Sequence, residues 1–541
     1  MRLGAAIGIG GVFAWTIGCS SDGDRLPDDA AARDDATRPD DAGSTDDATE
    51  AYCPDGATCS ADFPCAMTAT HYPEYLPHCD GTSVVLPVDV SCEEVCGTPC
   101  CSGGSCRLET TPCPAGQTCE MVGEGPRCRG SCDAITTFAD TGTTLRDVHV
   151  SPWGNDDTGD GTDAHPFATL GRALRDARPG DHVILSAEPH PGNIWAEGVQ
   201  GTEANPIVID GGGTARITGG TGAIQLVDPA YVVIQGLMIN RQSGNGINID
   251  DGGDYSTPAH HVVVRNVTFT DIGPGGNNDC LKLSGLDDFF VLDNTFTGCG
   301  VGGPGSGIDM VGCHDGMIAR NSFSEMGANS VQTKGGSARV TIRTNRTENG
   351  GERAFNMGGS TGFEFFRPLG ADYEARDIRA VANLIVGSEA AIAFVGCDGC
   401  LAANNTIIRP TSWVARILQE SVTGFVPCRN GRFINNLVVF RQADLSTFVN
   451  VGPDTAPDTF TFSDNLWFAE DDPSFTGPDL PVTETGTVLG DPLFVDGPGS
   501  DYHLGTGSPA DGAGMTLTEV TADFDGNCYQ DPPAIGAFER P

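Results

Sequence analysis

The sequence predicts an all-β chain of short parallel strands, and three observations carry that expectation. An asparagine follows a short hydrophobic run at Asn266, Asn294, Asn321, Asn345, Asn383, Asn405, Asn436 and Asn465, at intervals of 28, 27, 24, 38, 22, 31 and 29 residues. A period of roughly 20–30 residues marks a solenoid, whose coils bury their apolar side only by stacking. Five segments then superimpose as strands: Gly246–Asp250, Cys280–Ser284, Gly307–Val311, Ser330–Lys334 and Ala354–Gly358. In each an apolar residue (Ile247, Leu281, Ile308, Val331, Phe355) precedes a polar one, the alternation of a half-buried strand. Finally, 74 glycines beside only 7% aromatic residues suit a turn-rich β protein better than a helical one. Parallel crossovers wind right-handed. The fold class expected is a right-handed single-stranded parallel β-helix with an N-terminal capping helix, preceded by a small disulfide-rich module.

In chain order, residues 1–18 hold one Arg and a short apolar run, and Cys19 follows. The run is too short for a spanning helix and reads as an export signal. It resembles the bacterial lipoprotein signal, with Thr16 where Leu is usual. That resemblance implies lipidation at Cys19, and hence an exported protein anchored to a membrane at the outer membrane or surface of a bacterium. Residues 19–52 repeat Asp-Asp pairs with almost nothing to bury, the composition of an extended disordered tether. Residues 53–132 hold 13 of the 21 cysteines, seven lie later and Cys19 stands alone. So much cysteine points to an oxidising compartment. Both 13 and 7 are odd, so full pairing needs a bridge between module and body; free thiols are the alternative. Irregular spacing without a His pattern speaks against zinc and leaves a stalk or protein-contact module.

The β-helix domain is expected over 145–541. Residues 166–178 are apolar at helical spacing, between Pro166 and Pro179-Gly180, and suit a helix capping the open end of the strand stack. The interval of 38 implies an insertion, placed at 363–376. Hydrogen bonding between stacked Asn side chains, and their tolerance of left-handed backbone, would explain the repeat.

Three stretches resemble the pectate-lyase-like right-handed parallel β-helix proteins of bacteria. They are Asp160-Gly-Thr…Pro166-Phe-Ala-Thr-Leu-Gly-Arg-Ala-Leu…Pro179-Gly-Asp181, the Asn-marked coils, and the tail from Asp491-Pro-Leu-Phe-Val to Ile535-Gly-Ala-Phe-Glu539. The resemblance implies a polysaccharide ligand. It says little about chemistry, because that fold hosts lyases, hydrolases, epimerases and binding proteins.

Stacking the five strands lines up Asn248, Lys282, Asp309, Gln332 and Asn356 in one polar column. A second column holds Asp250, Ser284, Val311, Lys334 and Gly358. The net charge of −43 speaks against a general nucleic-acid binder. Residues 334–432 nevertheless carry 12 Lys/Arg against 9 Asp/Glu, a local excess of 12 − 9 = 3 that would suit an acidic polysaccharide. Ser330–Ser337 is similar to the strand bearing the basic Lys of chondroitinase-B-like and alginate lyases, although the Arg-His pair those enzymes carry on the next coil is here Asn356-Met357, with Arg353 just outside. Lys334, Lys282 and Arg353 are thus the candidate groups for uronate β-elimination, a Lys acting as base only if its pKa is lowered. Asn248, Asp309, Gln332, Asn356, Arg367 and Arg416 are the candidate substrate-binding residues. Asp250 and Asp279 could hold calcium, as family members do. Two readings compete. Asp250, Asp279 and Asp309 faintly resemble a polygalacturonase-like hydrolase cluster, without its Gly-His-Gly and Arg-x-Lys elements. The ribbon could equally serve a non-catalytic surface protein that binds glycan or protein.

Overall fold

The computed structural model describes residues 131–254 and 256–540, together with five strands between His78 and Arg129. The expected export signal, Cys19 and the Asp-rich tether lie outside the described residues. Within the cysteine-rich segment, His78–Asp80, Ser83–Val88 and Arg107–Pro112 pair antiparallel, as do Thr118–Val122 and Gly125–Arg129.

From Arg146 the chain coils as a parallel β-helix with three faces. One face is a ten-stranded sheet whose strands lie in chain order. They are β1 (Ile194–Glu197), β2 (Ile224–Val227), β3 (Ile247–Asp250), β4 (Leu281–Ser284), β5 (Ser306–Val311), β6 (Asn329–Lys334), β7 (Arg353–Gly358), β8 (Ala390–Val395), β9 (Trp413–Leu418) and β10 (Val449–Val451). The other two faces form one continuous ladder, because strands such as Ala230–Asn240 pair with Ala259–Arg265 through their first half and with Thr268–Ile272 through their second. The inward apolar residues stack in register: Ile247, Leu281, Ile308, Val331 and Phe355 are all fully buried neighbours. Phe269, Phe296 and Phe323 stack with centroids 4.8 Å apart, matching the spacing of paired strands.

The asparagine repeat is a buried ladder. Each Nδ2 donates to the next Oδ1 from Asn294 through Asn321, Asn345, Asn383, Asn405 and Asn436 to Asn465, at 2.9–3.1 Å. The left-handed backbone belongs instead to the preceding residue: Asp293, Arg320, Thr344, Ala382, Asn404, Asn435 and Asp464 all have φ between 51° and 58°. Asn266 is the exception, since it takes the left-handed place itself (φ 52°) and Val267 stands in the ladder position.

The capping helix is shorter than expected, Leu170–Arg175 only. Phe167 pairs with Val150 as extended backbone, and Thr169 caps the helix by accepting the Arg172 N–H, so Pro166 lies outside it. The insertion emerges between β7 and the strand Ala375–Arg376.

Both ends of the body fold back across its sides. Phe138 packs on Val208, Val233 and Val263, while Tyr502, Leu504, Phe524, Ile535 and Phe538 cover Leu384, Ile408, Leu437 and Leu466. Cys132 is disulfide-bonded to Cys528, 396 residues away, a bridge between the expected module and the body. Cys280–Cys299 and Cys397–Cys400 are also bonded, and Cys313 and Cys428 are free. Burial pushes both free thiols up to about 12, which leaves them unreactive.

Candidate functional site

On the outward side of the ten-stranded sheet, register places Trp195, Gln225, Asn248, Lys282, Asp309, Gln332, Asn356, Ala393, Arg416 and Asn450 in one column. Asp250, Ser284, Val311 and Lys334 form the expected second column. The alignment read from the sequence therefore holds, and it extends two strands further toward the N-terminal end and three toward the C-terminal end.

The column is not an open ribbon throughout. Asp309 and Asn356 are buried. Part of the cover is the start of the insertion: Gly358 and Gly359, at φ +119° and +153°, carry the backbone so close over Gln332 and Lys334 that a Cβ on Gly359 would meet both side chains. Glu374 clamps this crossing, accepting from Gly335 N at 2.8 Å, from Thr361 N and Oγ1 at 3.0 and 2.9 Å, and from Ser421 Oγ at 2.5 Å. Both amide atoms of Asn356 and the Oδ1 of Asn248 are buried without a hydrogen-bond partner. Native proteins rarely leave such atoms unused.

At the centre two lysines converge on one carboxylate. Lys282 forms an ion pair and hydrogen bond with Asp309, and Lys334 Nζ lies 3.0 Å from Asp309 Oδ1 while donating to Gln332 Oε1 at 3.2 Å. Lys282 Nζ is also 3.9 Å from Asp279 Oδ2. Asp279 Oδ1 accepts the Ser306 N–H at 2.8 Å, and the Asp279 N–H donates to Asn245 Oδ1 at 2.8 Å. The carboxylates are sunk and the ammonium groups stand above them: the side chains are 2% (Asp309), 4% (Asp279), 21% (Lys282) and 15% (Lys334) exposed.

The two carboxyls are pushed apart. Burial first, then the charge of Asp309, raises Asp279 to about 7, against the pull of Lys282. Burial also works against ionised Asp309, but Lys282 and Lys334 outweigh it and hold that carboxyl below its ordinary range. For Lys282 burial disfavours the ammonium, yet Asp309 and Asp279 overcome it and raise the pKa. The lowered value on which a basic role for Lys282 was conditioned is therefore not met.

The arginines separate. Arg353 opens β7 and pairs with Glu420 at 2.7 Å. It is in register with Asn329 and Ser306 and lies three strand spacings, roughly 14 Å, beyond Asp279, so it is not part of the lysine centre. Arg367 is buried against Asp287 at 2.9 and 3.2 Å and against the Gly312 carbonyl at 3.3 Å, with His314 bonded to the same Asp287. Its fork is spent on anchoring the insertion, and it does not serve substrate as expected. Arg416 does stand on the column, stacked 4.3 Å over Trp413 and donating to Asn450 Oδ1 at 3.2 Å.

The calcium expectation does not fit these residues. Asp250 accepts from Gln225 Nε2 at 2.5 Å, Asn248 Nδ2 at 3.3 Å and Gly252 N at 2.9 Å. Its strand partner Ser284 lies five residues past Asp279, on the order of 15 Å along the strand. The two carboxylates cannot share an ion, and among the described residues no group of three or more His, Cys, Asp or Glu side chains forms a metal site.

The comparisons with known proteins bear on the winding. The family model described as "Right handed beta helix region" matches residues 207–368. The fold is a right-handed parallel β-helix. Among solved structures, pectate lyase Pel9A is 15% identical, with 74% of this chain and 98% of that one covered at a TM-score of 0.45. The complex of XylC with xylose is 10% identical, with 72% and 98% covered and a TM-score of 0.41. An alginate lyase from Paenibacillus sp. str. FPU-7 is 17% identical, with 60% and 96% covered and a TM-score of 0.34. No curated protein matches the sequence. At such identities nothing about activity transfers to this chain.

Sequence reasoning missed Trp195, although Ile194–Glu197 and Ile224–Val227 show the same alternation that marked the later strands. It also missed Glu374 and His314, whose partners lie far away in sequence.

Proposed function

We propose that the β-helix binds an acidic polysaccharide along this column and breaks it by β-elimination at the Asp279–Lys282–Asp309–Lys334 cluster. One observation supports the reading above others: two partly buried lysines converge on a pair of buried carboxyls, one of which titrates near neutrality. The lysines face the uronate carboxylate and offset its charge, which makes the C5 proton more acidic. Asp279 takes the C5 proton once its carboxyl has ionised, above about pH 7, with the Lys282 ammonium 3.9 Å away. The C4–C5 double bond forms as the C4–O bond breaks, and the leaving oxygen receives a proton from the Lys334 ammonium. No step runs through calcium.

Incubation with alginate, pectate and glycosaminoglycans tests this directly. The expected product absorbs as an unsaturated uronate, and it disappears in Asp279→Asn and Lys334→Ala. New reducing ends without that chromophore would instead mean hydrolysis by Asp279 and Asp309. A second reading, binding without cleavage, is favoured by the raised pKa of Lys282, which makes the centre a neutralised ion cluster. Retention without product would establish it.

We also propose that the chain is exported and lipid-anchored through Cys19, with the cysteine-rich segment available for protein contacts. Among the described residues no helix is long and apolar enough to cross a membrane. Radiolabelled palmitate should enter the full chain and not Cys19→Ser.

A further inference from the structure

The first strand of the column ends in a cavity that the cluster above does not use. It has a volume of about 640 Å³ and lies between the capping helix and β1, with Arg172 and Arg175 on one wall and His190, Asn193, Trp195 and Glu197 on the other. That volume falls within the usual range for small-ligand sites. Trp195 is 57% exposed, although it belongs to a strand whose neighbouring Ile194 and Ala196 are buried. It shares the column of Lys282 and lies three strand spacings from it, about 14 Å.

The polar groups around it are unequal. Arg172 is committed to Asp176 at 2.6 Å and to the Phe167 ring at 4.5 Å. Arg175 is exposed and makes no ion pair with a described residue. His190 is buried, with Nε2 2.9 Å from the Ser186 carbonyl and Nδ1 unpartnered. A carbonyl partner requires the proton on Nε2, and buried Nδ1 faces away from any ligand, so His190 serves the wall and not the sugar.

The geometry points to a distal saccharide subsite here, in which the indole face of Trp195 carries a sugar ring and Arg175 pairs with that sugar's carboxylate. An aromatic face supplies broad contact at low entropic cost, and a cation selects acidic units. The subsite rests on the polysaccharide reading and deepens it: one acidic chain spans from Trp195 to the lysine centre, so affinity depends on chain length.

The full chain, titrated calorimetrically with oligogalacturonates and oligomannuronates from dimer to octamer, tests this. Trp195→Ala is expected to weaken the octamer roughly 5- to 10-fold and to leave the dimer unchanged. Arg175→Gln should weaken the acidic octamer similarly and leave a carboxyl-reduced octamer unaffected. If both variants bind the octamer as the wild type does, while Lys282→Ala loses it, the subsite is overturned and the proposed function stands. If Trp195→Ala weakens binding but the wild type cleaves nothing, the subsite stands and the elimination fails. A wild type that binds no oligosaccharide of either series overturns both.

Discussion

Asp309 is the group whose removal most sharply tests the ion cluster. Asp309→Asn leaves two ammonium groups facing a neutral amide in a mostly buried site. Breaking one side of a buried ion pair costs roughly 3–5 kcal/mol. Here Lys282 and Lys334 keep 21% and 15% of their side-chain surface in water, and Lys282 retains Asp279 at 3.9 Å. The loss should therefore fall at the lower end, about 3 kcal/mol. Urea unfolding at pH 8, followed by circular dichroism, measures it. The double variant Asp309→Asn/Lys282→Met should recover part of the loss, because it removes one of the stranded charges. Asp309 is also the second cause of the raised Asp279 value, so any activity of Asp309→Asn should reach its alkaline plateau at lower pH than in the wild type. A single variant as stable as the wild type, with no coupling in the double, would refute the assignment of Asp309 as the shared counterion.

Three further outcomes are expected. Asn345→Ala removes an acceptor used by Asn321 N and Nδ2 and a donor to Ile318 O and Asn383 Oδ1, so it should cost roughly 2–4 kcal/mol; the exposed Asn266→Ala should cost about 1 kcal/mol, both read from urea midpoints. For His503, burial opposes protonation, but Asp525 and Asp501 at 2.6 and 2.5 Å outweigh it and raise the pKa to about 9. Its stabilisation should be complete below pH 6.5 and fade as the pH rises toward 9, and His503→Gln should lack that alkaline decline in its unfolding midpoint. Cys132→Ser should release the C-terminal tail, so that limited proteolysis cuts after residue 490 before it cuts the coils, whereas the wild type should resist at that position.

Register was legible because it is a local property. Alternation from Ile247-Asn248 to Phe355-Asn356 fixes which side chains share a face, and parallel pairing does the rest. The asparagine period was legible for the same reason, but the left-handed bend was assigned to the ladder residue when the residue before it makes the turn, and Asn266 sits at the bend rather than in the ladder. Both ladder and bend favour Asn, so Asn404-Asn405 and Asn435-Asn436 look interchangeable until hydrogen bonds separate the roles. The crossing over Gln332 and Lys334 was not legible, since it comes from an insertion whose anchors, Arg367–Asp287 and Glu374–Gly335, join residues 80 and 39 positions apart. The capping helix was overextended because apolar spacing at Phe167 suits a strand bridge to Val150 as well as a helical turn. Trp195 was overlooked because the column was begun at Gly246 rather than at the helix end.

The Cys132–Cys528 bond has a mechanical consequence. Tension applied through any residue before Cys132 divides at that sulfur, part running into the first coil and part crossing directly to the tail folded along the far side. A pull from the N-terminal side therefore cannot peel the spiral open one coil at a time; it tugs on both extremities together, and the body should detach or shear as a unit before it unravels.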